Sequence, residues 1–418
     1  MVYVLNRDGK PIMPTTRHGK VRRLIRDGKA KVVRRCPFTI KLLYDTPDIV
    51  QELTLGIDTG SSVIGSAVYS KSGTVLYTST TTIRNDIKEK MDQRRQFRRT
   101  RRSRKTRYRK PRFLNRGSSI RTDRFSPTMV SKFNSHMKEI SFVKSVLPIT
   151  HLVLETGKFD PHLLKNPSLA NPEIAKWGYQ KGTNYGFENT KAMVLSRDGY
   201  ICKRCKTKKK GVKLEVHHIV FRSKGGSDEP ENLITLCHDC HKKLHDGEIE
   251  LSQKGKSKGT LNHATQMNSI RIQLLKHYPD AIETFGYVTK ANRYVLGIDK
   301  DHHLDACVIA SGGHKFTDKS TLLRKRCIAK GQYKLTDGKH SENKPDRTPI
   351  NGFSANCKVK YFGKEYFISG VNRRGYAVLK DLDGNKVDFS YMGKGNKTPK
   401  LCNLKRISTR KTTLMIQY

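Results

Sequence analysis

The chain has 418 residues, with 83 Lys and Arg against 37 Asp and Glu, a formal net charge of +46 and a pI of about 10.1. Self-repulsion on this scale is relieved by a polyanion, so nucleic acid is the expected partner. No apolar run reaches the ~20 residues of a membrane-spanning helix, and the N-terminus lacks the basic-then-apolar layout of a secretion signal, so a cytoplasmic, nucleoid-associated protein is expected.

Residues 1–50 alternate short β-like runs ("VYVLN", "KVVRR", "FTIKLLY") with the basic segment "TRHGKVRRLIRDGKA", which reads as a short helix ending near Gly28. Residues 51–84 are apolar and β-rich, predicting two or three strands of one sheet joined by Gly/Ser turns. From Asp86 to Arg116 about half of the residues are Lys or Arg, with Met91, Phe97 and Tyr108 as apolar anchors. A helix this charged repels itself in isolation but presents arginines to phosphate on most faces. Arg94, Arg95, Arg98, Arg99, Arg101, Arg102, Arg104, Arg107 and Arg109 are the candidate RNA-backbone contacts.

An amphipathic helix follows in "SPTMVSKFNSHMKEISFVKSVL", with Ser126 or Thr128 as its cap, and then a buried-strand pattern, "THLVLETGKFD". Residues 165–192, rich in Pro, Asn and Gly, read as a linker. Residues 193–246 hold two Cys-x-x-Cys pairs, Cys202/Cys205 and Cys237/Cys240, which have the ligand chemistry of a structural Zn2+. The other five of the nine cysteines are scattered, so a disulfide framework is not expected. His217 and His218 are neighbours on a predicted strand and point to opposite faces. One can ligate a catalytic divalent ion while the other deprotonates water.

The stretch "LEVHHIV…GG…ENLITLCHDCH" resembles the HNH nuclease family with its ββα-metal fold. That resemblance implies His218 as general base, His217 and His241 as ligands of a catalytic Mg2+, and Asn232 as the organiser of the loop. His217 stands where many relatives have Asp, which softens the preference for Mg2+.

A second "GEIELSQKGKSKGT" linker leads to helix and strand over 262–312, ending in "DHHLDACVIASG". Beyond about 315, short β runs with hairpin turns at "FGKE" and "LDGN" predict a small β-barrel-like domain. Three acids stand at informative places: Asp58 ends "LTLGID", Glu155 ends "HLVLET", and Asp305 opens an apolar helical run with His302 one turn earlier. Together they resemble the RuvC branch of the RNase H-like fold, which implies two Mg2+ held by Asp58, Glu155 and Asp305 with His302 assisting.

The order of these parts, with "DGKPIMP" near the N-terminus, resembles the IscB family of transposon-associated RNA-guided nucleases, relatives of type II CRISPR effectors. The resemblance implies an α/β RuvC core split in three, an inserted ββα-metal HNH domain, an arginine-rich bridge helix and a β-rich C-terminal domain. The expected domains are an N-terminal PLMP-like domain (1–50), RuvC part I (51–85), bridge helix (86–116), RuvC part II (117–164), linker (165–192), HNH (193–246), linker (247–261), RuvC part III (262–314) and a domain contacting guide RNA and a flanking DNA motif (315–418). The implied activity is RNA-guided cleavage of double-stranded DNA by a monomeric protein in a ribonucleoprotein, HNH cutting the guide-paired strand and RuvC the displaced one. Two alternatives stay open: a guide-free HNH endonuclease, and an RNA-guided DNA-binding protein with decayed nuclease sites.

Overall fold

The computed structural model describes residues 1–418 apart from 48, 104–124, 159, 161–162, 164–165, 179–184, 208–210, 225, 252–260, 330–348, 393–397 and 418. The chain divides into two units, Met1–Gly157 with Gln266–Tyr418, and Lys158–Thr265.

The first unit begins with a four-stranded sheet. Strand β1 (Val2–Leu5) is buried along its length and lies between β2 (Pro11–Thr15) and β4 (Phe38–Leu42), with β3 (Ala30–Arg35) outside β4. Helix α1 (His18–Arg26) sends Val21 into the core made by Val2, Val4, Ala30, Ile40 and Leu42. It stops where the sequence predicts: Gly28 takes φ +68°, and Lys29 N donates to Leu24 O at 2.9 Å, closing the helix with a left-handed glycine.

Three antiparallel strands follow, β5 (Leu53–Asp58), β6 (Val63–Ser70) and β7 (Thr74–Thr82). Helix α2 (Ile87–Ser103) is the described part of the arginine-rich segment. Of the nine candidate arginines, Arg104, Arg107 and Arg109 lie outside the described residues, as do the side chains of Arg98, Arg99, Arg101 and Arg102. Helix α3 (Pro127–Lys144) is capped by Ser126, whose hydroxyl accepts from Met129 N at 3.3 Å. Strand β8 (His151–Thr156) then pairs in parallel with β5, opposing Glu155 to Asp58.

The second unit contains α4 (Pro172–Gly178) within the stretch expected to be a linker. Helix α5 (Thr190–Arg197) is capped by Asn189. Strands β9 (Leu214–His218) and β10 (Leu233–Cys237) form an antiparallel pair that runs directly into α6 (His238–His245), a ββα arrangement around a small core of Cys202, Ile234, Leu236 and Cys237.

The chain returns to the first unit through α7 (Asn262–His277) and β11 (Ile282–Phe285), which pairs in parallel with β8. Helices α8 (Gly286–Leu296) and α9 (His302–Ser311) follow. Two glycines let α9 lie directly on the sheet. A Cβ on Gly56 would come to 2.5 Å from Ala310 N, and one on Gly65 to 1.9 Å from His302 O. Short β12 (Thr317–Asp318) and then β13 (Leu323–Cys327) both pair with β7.

The C-terminal region departs from the expected barrel. Strands β14 (Lys358–Tyr361), β15 (Lys364–Val371), β16 (Ala377–Lys380) and β17 (Lys405–Ser408) make an open sheet in the order β16-β15-β14-β17. The last strand, β18 (Thr413–Gln417), joins β13 at the edge of the central sheet, whose order is β11-β8-β5-β6-β7-β13-β18. The "FGKE" hairpin is present, with Phe362 and Gly363 both at positive φ, as a tight two-residue turn demands. Overall the fold is mixed α/β, and among the described residues no helix is long and apolar enough to cross a membrane.

Candidate active sites

The first site lies in the ββα unit. His217 and His218 diverge as alternate strand positions must. The His217 ring is buried and sits 5.0 Å from the His241 ring and 4.9 Å from that of His245. Donor atoms of the three lie within 4.8 Å of one another. Burial, then His241 and His245, push the His217 pKa down to about 4, so the ring is neutral at working pH. Its Nε2 is buried without a hydrogen-bond partner among the described residues, the condition of an atom waiting for a ligand. This trio fits a divalent cation.

His241 Nδ1 is 2.9 Å from Glu215 Oε2. The contact is electrostatic and places the Glu215 charge beside the ring. His218 makes a hydrogen bond: its Nε2 lies 2.8 Å from Asp228 Oδ1, which also accepts from Arg222 Nε at 2.6 Å, and because a carboxylate only accepts, Nε2 carries the hydrogen. Nδ1 of His218 is therefore the basic nitrogen. Asn232 is fully buried; its amide oxygen accepts from Val220 N at 2.9 Å, and its Nδ2 donates to Val220 O and Ser227 O at 3.0 and 2.8 Å. It ties the loop between the strands and touches no reacting group.

His245, Glu215 and Asp228 were not singled out in the sequence. His245 was legible as the i+4 partner of His241 on a helix, and Glu215 as the same-face i−2 neighbour of His217 on a strand. Asp228 lies in a loop with no period to reveal it.

Behind this site, Cys202, Cys205, Cys237 and Cys240 bring their sulfurs within 4.8 Å of one another, with Cys205 Sγ and Cys237 Sγ 3.7 Å apart. Burial pushes the Cys202 thiol up, but the backbone amides of Cys205, Cys237 and Arg204 outweigh it and bring it to about 7. Burial raises the Cys240 thiol instead, so it is the closed four-sulfur set, not a shared acidity, that fits structural zinc. A strong zinc chelator should abolish hydrogen-exchange protection over 193–246 while leaving the first unit protected. Unchanged protection after verified metal removal would show that the cysteines are not a metal staple.

The second site lies at the C-terminal ends of β5 and β8. Asp58 and Glu155 are direct partners across the parallel pair. The close seat of α9 on Gly56 and Gly65 brings His302 Nδ1 to 2.6 Å from Asp58 Oδ2, which raises the His302 pKa. Asp305 is one turn further on; its carboxyl is pushed up by burial and by Asp58, against the opposing pull of Arg293. Glu155 rises to about 7, chiefly through burial, with Asp58 and Asp305 adding to it. Glu155 and Asp305 are thus both raised by burial and by neighbouring carboxylate charge, an arrangement that a bound cation would relieve.

The three carboxylates converge without closing, and among the described residues they do not form a set with all donor atoms within 4.8 Å. Each is held by the protein instead: Asp58 by His302, Glu155 by the Thr289 hydroxyl, and Asp305 by Arg293 Nε at 3.3 Å. Thr289 and Arg293, both on α8, are further residues the sequence did not disclose. The Arg293 contact is an ion pair without hydrogen-bond geometry, so Asp305 Oδ1 is buried with its hydrogen-bonding capacity unused and suits a cation.

Because Glu155 has a folded pKa near 7 against an ordinary 4.5, the folded metal-free protein holds its proton more tightly. Its contribution to stability is therefore greatest below pH 4.5 and is lost as pH rises to 7, by up to about 3 kcal/mol. Glu155→Gln should leave melting near pH 4.5 unchanged and raise it above pH 7. Equal shifts at both pH values would contradict the elevated pKa.

The family model "RRXRR protein" matches residues 2–182, and "HNH endonuclease" matches residues 202–247. The type IV methyl-directed restriction enzyme EcoKMcrA of Escherichia coli (strain K12) is 36% identical over 61 residues, 13% of this chain and 22% of that protein. Anaredoxin of Nostoc sp. (strain PCC 7120) is 36% identical over 67 residues, 16% of this chain and 86% of that protein. Among solved structures, Streptococcus thermophilus Cas9 in complex with the AGAA PAM is 12% identical at a TM-score of 0.35, over 59% of this chain and 32% of that one. The Type II-C Cas9 from Actinomyces naeslundii is 11% identical at a TM-score of 0.17, over 68% and 47%. The chain thus spans about a fifth of the restriction enzyme and less than half of each Cas9. An RRXRR region over residues 2–182 followed by an HNH endonuclease domain over residues 202–247, on a basic α/β chain, makes this an IscB/Cas9-like chain with an HNH domain in its second unit.

Proposed function

We propose that the protein is an RNA-guided DNA endonuclease with two metal-dependent sites, the HNH site cutting the guide-paired strand and the RuvC-like site the displaced strand. The observation that carries this reading is the His217/His241/His245 cluster beside the His218–Asp228 pair, a complete hydrolytic set within a matched HNH region. The domain boundaries given above, the guide RNA and the DNA target belong to this proposal.

In the HNH site His218 Nδ1 takes the proton of the attacking water, while Asp228 accepts the Nε2 hydrogen and stabilises the imidazolium that forms. Glu215 places negative charge beside the His241 ring, and Asn232 holds the loop that carries Asp228. In the second site Asp58, Glu155 and Asp305 would hold the cations and His302 orients Asp58. When bound, the divalent ions supply Lewis-acid stabilisation of charge on the phosphate and the leaving oxygen. Three imidazoles make the HNH site a borderline-soft donor set, further from Mg2+ than the two-histidine set expected from sequence. After chelation, paired-strand cutting should return at a lower concentration of Mn2+ than of Mg2+; the reverse order would argue against three imidazole ligands.

The test is cleavage of a duplex labelled on each strand, by protein loaded with its guide RNA and by protein freed of RNA. Metal-dependent cutting of both strands only when the guide matches is expected. Cutting by RNA-free protein would favour a guide-free HNH endonuclease, and guided binding without cutting would favour a decayed enzyme.

A further inference from the structure

Arg293 stands among the acids of the second site without the contacts of a structural arginine. It lies on α8 one turn beyond Thr289, so the two side chains share a face, and that face meets Glu155 and Asp305. The Arg293 side chain is 13% exposed and that of Asp305 15%, with Nε 3.3 Å from Oδ1. Both atoms are buried, and neither makes a hydrogen bond. Arg271, in the same unit, shows the contrast: its Nε and Nη2 both donate to the Glu283 carboxylate, the second at 2.7 Å. Arg293 therefore gives Asp305 charge without the paired hydrogen bonds that would lock the two together.

Of the cations that act on the Asp305 carboxyl, Arg293 pulls hardest, ahead of His302 and Lys300. The helix that carries it is lightly held. Thr289 is the one buried residue of α8, while Tyr287, Tyr294 and Val295 are exposed. Gly286 seats the first turn against Glu155, where a Cβ would come to 3.2 Å from Oε1, and Gly297 ends the helix at φ +64°. The helix is thus anchored at its Glu155 end, and the turn bearing Arg293 has little packing to overcome if it shifts. A divalent cation on Asp305 and the guanidinium beside it would repel one another, and the part-buried setting strengthens that repulsion. An arginine locked by a bidentate fork would resist such displacement; a contact made by charge alone yields to the larger charge.

We propose that Arg293 is a resident counter-charge for Asp305: a positioning residue that neutralises and holds the carboxylate before a divalent cation binds, is displaced as the cation enters, and so raises the metal concentration at which the second site fills. The proposal deepens the metal-dependent reading of that site and rests on it. Its test is hydrogen exchange on the full-length protein titrated with Mn2+ alone, read on peptides covering 286–311, which lie in the other unit from the HNH histidines. In the wild type, protection of these peptides should rise with Mn2+ to a defined midpoint. Arg293→Gln should lower that midpoint by about tenfold, the scale on which groups beside a ligand tune a metal site, and should loosen α8 when no metal is added. Arg293→Lys keeps the charge and should hold the midpoint near that of the wild type. A merely structural role would loosen α8 in Arg293→Gln without moving the midpoint to lower Mn2+. Should Arg293→Gln unfold, Arg293→Leu keeps a packed stem and carries the same expectation. A midpoint that is unchanged or raised in a folded neutral variant, or lowered equally by Arg293→Lys, overturns the proposal alone. A wild-type protein whose 286–311 peptides do not respond to Mn2+ overturns the metal-dependent reading of the second site with it.

Discussion

His218→Ala is expected to reduce cutting of the guide-paired strand by roughly 10²–10⁴-fold and to leave cutting of the displaced strand intact. Asp58→Ala should do the reverse. The proposed base His218 and its partners Asp228 and Arg222 lie together in the second unit. Asp58 belongs to the other unit, where it links His302 to the shared charge of Glu155 and Asp305. Asp58→Asn separates geometry from charge: it keeps a hydrogen bond to His302 but removes the negative charge a cation needs, so it should be nearly as inactive as alanine. The readout is a guide-loaded nicking assay with each DNA strand labelled. Loss of both cuts in either single variant, with native melting retained, would show that the two clusters do not act as separate sites.

The largest effect on stability is expected from Lys325→Met. Lys325 is buried on β13, with its ammonium 2.5 and 2.6 Å from the two oxygens of Glu139 on α3 and 4.4 Å from the Phe142 ring centre. Glu139 also accepts from Ser66 and Ser79 at 2.7 and 2.9 Å and from Thr81 at 3.0 Å. Burial would push its carboxyl up, but Lys325 and these hydroxyls outweigh that and hold it below its usual range, so it stays ionised. Removing the lysine strands that charge, at a cost of about 3–5 kcal/mol. Adding Glu139→Gln should recover more than half of the loss, because the amide is neutral and its oxygen still accepts from the hydroxyls. Urea denaturation of the four proteins of this cycle gives the coupling directly. A single substitution costing less than about 1 kcal/mol would show that the pair is dispensable.

This ion pair also shows where sequence reading stops. Lys325 and Glu139 are 186 positions apart, and neither stands in a motif. The region after 315 read as a separate barrel because its strands are short and turn-punctuated. Local pattern cannot say that β13 and β18 pair with one another and extend the sheet begun by β5. The assignment of 165–192 as a linker followed composition, and it missed α4 because a short helix leaves too few turns for a period to show.

What the sequence by itself determined was chemistry with a short repeat or a short spacing. The basic charge, the paired Cys-x-x-Cys ligands, the double histidine, the helix stop at Gly28 and the Ser126 cap are all set within a few residues, where backbone geometry fixes which side chains meet. The tertiary structure alone decided which distant groups complete each site: Asp228 on His218, Thr289 on Glu155, Arg293 on Asp305, and the glycine-lined seat that lowers α9 onto Asp58. Those contacts depend on close packing between elements far apart in the chain, and packing leaves no period in the sequence to read.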